Sequence, residues 1–139
     1  MSFLYTGFVN GLFDYTLYPN YFDLSGSYTL GLALLDTSLY VADQDADFNL
    51  SDIPSVAIVA TGTPSGIVIA NRTFTFDPLT FPALTGAEIS AAALYFDNAS
   101  DPTTSQLVAY IDAFAAGMPW TPDGTDWDFN PDPTGLVLL

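Results

Sequence analysis

The sequence has no cysteine, no histidine and no lysine, and its one basic residue is Arg72. Without cysteine there is no disulfide and no thiolate. Without histidine there is no imidazole to act as a base or to hold a metal. Cysteine nucleophiles, serine–histidine triads and imidazole-bound zinc are therefore excluded, whereas the redox compartment is left open. Sixteen acidic residues against one arginine give a formal net charge of −15. Nucleic acids and anionic membranes are recognised mainly through lysine and arginine, so neither is an expected partner. No apolar run reaches eighteen residues, and "MSFLYTGFVNGLF" has no basic flank. Neither a membrane-spanning helix nor a secretory signal is expected.

Charged residues make up only 12% of the chain, about half the usual share, whereas apolar residues make up 50%. The surface must therefore carry many uncharged groups, for which subunit contacts are one use and a neutral Ser, Thr, Ala and Gly exterior is another. A chain of 139 residues fits one domain and buries about two thirds of its unfolded surface. The folded surface should be roughly 7,000 Å², or about one excess negative charge per 470 Å². Salt or a cationic partner would relieve that repulsion.

From residue 28 onward the pattern is strand-like. "YTLGLALLD" sets Leu30, Leu32 and Leu34 on one face, and "RTFTFD" does the same for Phe74 and Phe76. "SVAIVAT", "GIVIA", "ALYFD", "QLVAYID" and "GLVLL" are further short apolar runs, separated by turn signals such as "TGTPSG", "FDPLTFP", "DNASDPTTS" and "MPWTPDGTD". The expectation is an all-β fold, an antiparallel β-sandwich or barrel-like domain of about seven to nine short strands over residues 28–139. Residues 1–27 read as an aromatic arm or a short helix preceding it. "NLSDI" has room for one helical turn.

Acidic residues gather in two places. In "VADQDADFNLSD", Asp43, Asp45, Asp47 and Asp52 supply closely spaced oxygens of the kind a calcium loop uses. An EF-hand counted from Asp43 would need glycine and glutamate where Phe48 and Pro54 stand, so that motif fails. The alternatives are a looser calcium site on those four aspartates or a solvated loop with Asn49 or Ser51 capping a short turn. No other cofactor is indicated. The second gathering, Asp123, Asp126, Asp128 and Asp132 around Trp120 and Trp127, has the ingredients of a sugar site. In "TDWDF", however, alternation puts Trp127 and Phe129 on one face as core and the aspartates on the other. Arg72 reads either as an inter-subunit ion pair or as a solvated turn residue. The sequons at Asn49, Asn71 and Asn98 read as chance.

The stretch from "GLALLDT" through "LSDIP" and "IVAT" to "QLVAYID" and "MPWTPDGTDWDF", roughly residues 28 to 130, resembles a family of small structural proteins of tailed-bacteriophage virions. The resemblance stops at both ends. Here the N-terminus is aromatic and free of basic residues, and the chain ends "WDFNPDPTGLVLL". The resemblance implies a virion component without catalytic residues. Of the possible positions, the expected one is capsid decoration: a cement protein on the head exterior, made in the host cytoplasm, bound to major capsid protein and to itself as a homotrimer. The alternative is a tail, neck or fibre component, with host-glycan binding as its function. Expected contact residues are Phe3, Tyr5, Phe8, Phe13, Tyr15, Tyr18, Tyr21 and Phe22, with the C-terminal "GLVLL" and Arg72.

Overall fold

The computed structural model describes residues 3–11, 28–70, 73–98, 100–111, 117–131 and 136–137. Within them the period-two segments become antiparallel strands, as alternating side chains require. These are β1 (Phe3–Leu4), β2 (Tyr28–Leu35), β3 (Ile58–Gly62), β4 (Val68–Ala70), β5 (Thr73–Thr75), β6 (Leu79–Phe81), β7 (Ala91–Asn98), β8 (Gln106–Ile111), β9 (Trp127–Phe129) and β10 (Leu136–Val137). One short helix, α1 (Thr6–Gly11), follows β1.

The strands form a five-stranded sheet in the order β1-β8-β7-β2-β3, a three-stranded sheet β10-β5-β4, and a β6-β9 pair. The long β2 and β7 are its spine, paired from Tyr28↔Asn98 to Leu35↔Ala91. Among the described residues no sheet closes on itself, and the architecture is sandwich-like.

Both faces of the large sheet are buried. Leu30, Leu32 and Leu34 of β2 face the same side as Ala92, Leu94 and Phe96 of β7, where Phe76, Phe81, Ile89 and Phe129 complete one core. The β6-β9 pair packs on this side, with Phe76 stacked on Phe129 at 6.0 Å. The intervening residues Ala33, Leu35, Ala91, Ala93 and Tyr95 face the other way and meet Tyr40, Ile53 and Ala57 from the segment after β2. Loop and single helical turns, not a second sheet, thus close the second core. Small residues at 91 and 93 leave room for that close covering. Burying each large side chain contributes about 1.5–3 kcal/mol.

Gly31 is fixed by this arrangement. It stands opposite Tyr95, and a β-carbon there would lie 2.3 Å from the Tyr95 ring. Gln106 is an anomaly of the same sheet. Its side chain is buried, and neither amide atom finds a partner among the described residues.

The described part of the N-terminal arm belongs to this domain. Phe3 and Leu4 pair with Tyr110 and Ala109 of β8 at the edge of the large sheet. The chain then rounds that edge, so that Tyr5 enters the second core and Phe8 the first. Of the N-terminal aromatics, which could serve as contacts or close the core, Tyr5 and Phe8 are used inside the chain, at 0% and 6% exposure. Another departure is β6, which forms inside the "FDPLTFP" segment read as a turn. Prolines at 78 and 82 bound it to three residues. Among the described residues no helix is long and apolar enough to cross a membrane.

Candidate functional site

The segment leaving β2 is tied down at both ends and turned outward between them. At its start the Asp36 carboxylate accepts from the amide and hydroxyl of Ser38 at 2.9 and 2.6 Å. The Asp36 amide donates to the Ala57 carbonyl at 2.9 Å, and the Thr37 amide donates to the Ser90 hydroxyl at 3.0 Å. Four residues later Tyr40 is buried in the second core. With Tyr40 turned inward, its two neighbours in this irregular segment are left at the surface. Leu39 is 52% exposed and Val41 is 87% exposed.

This aliphatic ridge borders a recess of about 290 Å³ lined by Phe3, Thr37, Tyr40, Val41, Ala42 and Tyr110. Phe3 and Tyr110 are a cross-strand pair, stacked with ring centres 5.0 Å apart. Phe3 also meets Tyr5 edge-on at 5.3 Å. The recess therefore joins the edge strand β1 to the loop after β2, two segments far apart in sequence. A single Leu on a surface is ordinary. An aromatic recess with exposed Val41 in its lining, and exposed Leu39 two residues away in sequence, is the kind of apolar surface that marks a contact.

The acidic loop follows directly, and its carboxylates are bound by their own backbone. Asp43 accepts from the amides of Asp45 and Ala46, both at 3.0 Å. Asp45 accepts from the Thr6 hydroxyl at 2.6 Å, which fastens the loop to the start of α1. Asp47 accepts from the Tyr40 hydroxyl at 2.6 Å and from the Asp43 amide at 2.8 Å. Asp52 closes a single 3-10 turn (Leu50–Asp52) by accepting from the amides of Phe48 and Asn49 at 2.7 and 2.9 Å. Of the four aspartates proposed as calcium ligands, Asp43, Asp47 and Asp52 thus cap their own loop and Asp45 ties it to α1. Among the described residues no three acidic side chains gather as a metal site would need.

A buried hydroxyl chain links this loop to the arm. Tyr40 must donate to Asp47, since a carboxylate only accepts, which leaves Tyr5 as the donor across the 3.1 Å contact between the two phenols. Burial pushes the Tyr5 phenol well above its ordinary value. Tyr40 is pushed further by burial and by its hydrogen bond to Asp47. Burial also raises Tyr110, at the recess, and Tyr95.

The second acidic gathering divides as alternation predicted. Phe129 is fully buried and Trp127 partly so, whereas Asp126 and Asp128 are exposed. Trp127 stacks on Trp120 at 5.2 Å against the first core. Asp123 is held down in pKa by the Thr125 hydroxyl and amide, Asp126 accepts from the Ala83 amide, and Asp128 accepts from the Thr80 hydroxyl. These bonds fasten the β6-β9 pair.

A separate recess of about 410 Å³ opens at the end of β7 beside edge strand β3, where Thr61, Thr63, Tyr95, Asp97 and Ser100 contribute to its lining. Among the described residues its side-chain polar groups are hydroxyls and one carboxylate.

Of the expected contact residues, Phe3 lies at the apolar recess and Tyr5 and Phe8 lie beneath the surface. Phe13, Tyr15, Tyr18, Tyr21, Phe22, Arg72 and Asp132 lie outside the described residues. Sequence reasoning missed Leu39, Val41 and Tyr110. The usable signal was "SLYVA", an alternating aliphatic–aromatic–aliphatic triplet inside what otherwise reads as an acidic loop. No protein-family model matches this chain, and no curated protein matches it.

Proposed function

We propose that this protein is a non-enzymatic structural component of a tailed-bacteriophage virion, a decoration or cement protein on the head exterior. The observation that carries the proposal is the exposed Leu39–Val41 ridge beside the Phe3–Tyr110 recess on a chain of net charge −15. An acidic surface keeps a protein soluble and discourages non-specific contacts. A localised apolar patch on such a surface is suited to one chosen partner. The resemblance of residues 28–130 to virion structural proteins supplies the context. The lack of histidine, cysteine and lysine, together with carboxylates such as Asp43 and Asp123 tied into their own turns, supports a non-enzymatic role.

In this proposal each copy docks on major capsid protein and contacts its own kind as a homotrimer. Fully burying one Val or Leu is worth about 1.5–3 kcal/mol, too little for tight binding alone. Repetition by shell symmetry makes it sufficient, because subunits held by several neighbours gain avidity. Rupture of the shell under internal pressure then has to break these contacts as well. The test is heat-induced DNA release from particles made with and without the protein. Particles lacking it should release DNA at lower temperature and regain resistance when purified protein is added back. Identical release temperatures would remove reinforcement as the role.

The hydroxyl-lined recess at Thr61, Thr63 and Asp97 favours a second reading, a tail or fibre component that binds host glycans. The Asp97 carboxylate among its described lining suits a neutral sugar better than an anionic one. Saturable binding to a glycan array, lost in Asp97→Ala, would favour that position in the virion.

A further inference from the structure

We infer that the recess between Phe3 and Tyr110 and the adjoining Leu39–Val41 ridge take a polypeptide segment in which a bulky apolar side chain is flanked by lysine or arginine. The partner's identity, a shell subunit, rests on the decoration proposal; its chemistry rests on what surrounds the recess. The apolar ridge is bracketed in sequence by acid. Asp36 stands at one end, and exposed Asp43 and Asp45 stand at the other. Over the same stretch, from residue 36 to residue 52, there is no basic residue. A cation brought to this rim therefore meets negative charge that no described basic residue opposes, which speeds encounter and fixes orientation.

The other occupants lack that complement. A second copy docked through this same face would bring Asp36, Asp43 and Asp45 against the same three residues, and docked through another face it would offer one arginine against sixteen acidic residues. The chain's own segment 12–27 is rich in aromatics but carries Asp14 and Asp23 and no basic residue. An incoming apolar side chain instead finds the Phe3 and Tyr110 rings already stacked, with the exposed Val41 side chain at the lip. The Tyr5–Tyr40–Asp47 hydroxyl chain holds the two sides of the recess together, so little ordering is left for binding to do.

The experiment uses the full chain, isotopically labelled for NMR, and three short synthetic peptides: a Leu-Phe core flanked by lysines, the same core flanked by glutamates, and a Ser-Ser core flanked by lysines. The lysine-flanked Leu-Phe peptide should shift the amides of residues 37–42 and 110 saturably. Raising salt from 0.05 to 0.5 M should weaken that binding about tenfold. Val41→Asp should weaken it at least about tenfold while leaving the far-ultraviolet spectrum unchanged, because that side chain is exposed. Leu39→Ser provides a second, independent variant with the same expected direction. Saturation at another surface, equal binding of the glutamate-flanked peptide, or no saturable shift would each overturn the inference. So would concentration-dependent shifts of the same amides without peptide, which would assign the recess to a second copy. Copy number in virions separates the two proposals. An abundant head protein that ignores the peptide refutes only this inference, and a peptide binder scarce in the particle refutes only the decoration role.

Discussion

Replacing Tyr40 with phenylalanine removes one oxygen and undoes two hydrogen bonds. The first is the 2.6 Å bond donated to the Asp47 carboxylate. Bonds to charged groups are worth about 1.5–3 kcal/mol net. The second is the 3.1 Å contact with Tyr5, a side chain with no exposure at all. Losing Tyr40 leaves the Tyr5 hydroxyl buried without that acceptor, a further cost of about 1 kcal/mol or more. Tyr40→Phe should therefore cost about 3 kcal/mol, a large part of the roughly 5–15 kcal/mol that keeps a domain folded. Tyr5→Phe should cost only about 1 kcal/mol, because Tyr40 keeps its bond to Asp47. The double variant should cost about 2–3 kcal/mol, less than the sum of the two, because the orphaned hydroxyl has gone with its partner. Urea unfolding followed by fluorescence of Trp120 and Trp127 measures all three, with unchanged slopes as the check that two-state behaviour holds. If Tyr40→Phe costs no more than Tyr5→Phe, or if the two effects simply add, the hydroxyl chain is not what binds the arm to the loop.

Gly31→Ala should destabilise by about 1–3 kcal/mol, since its β-carbon would meet the Tyr95 ring at 2.3 Å; an unchanged melting temperature would show that Tyr95 moves aside freely. Gln106→Met should be neutral or stabilising by about 1 kcal/mol, read by thermal melting, because it replaces a buried amide without a described partner. The raised phenols of Tyr5 and Tyr40 stabilise the fold fully below pH 10, the ordinary tyrosine value. That contribution is lost as pH climbs towards their folded values, so alkaline unfolding, followed by circular dichroism, should begin above pH 10, and unfolding that begins well below pH 10 would contradict it. Titration with CaCl₂ should give no saturable heat and no change in melting, because Asp43, Asp45, Asp47 and Asp52 already satisfy local amides and hydroxyls; a saturable heat abolished by Asp43→Ala would restore the calcium site.

Period-two alternation made much of the fold legible. It was right for Leu30, Leu32 and Leu34, and right again for Trp127 and Phe129 against Asp126 and Asp128. It was incomplete for β2 and β7, where Ala33, Leu35, Ala91 and Ala93 are buried too. Near-continuous apolar runs do carry that message, but only a long-range contact reveals that a loop covers the second face. The β6 strand was hidden because three residues between two prolines hold too little pattern to rise above turn chemistry.

The site was legible in part. That "DQDADFNLSD" is a loop with one helical turn follows from its composition, and its carboxylates do what Asx residues do in turns. Aromatic content alone does not say which way the N-terminal side chains point. Tyr5 and Phe8 are three residues apart and enter different cores because the chain turns around the edge of β8, a fact of topology and not of periodicity. Val41 was overlooked for the opposite reason, since an aliphatic residue two positions before an acidic run looks unremarkable until Tyr40 is known to be buried.

The central claim, decoration of a phage head, is tested most directly by copy number per particle, measured by quantitative mass spectrometry of purified virions against the major capsid protein. Decoration predicts a ratio near one to one or a simple fraction of it. A ratio of a few per cent or less would contradict it and assign the protein to the tail or neck.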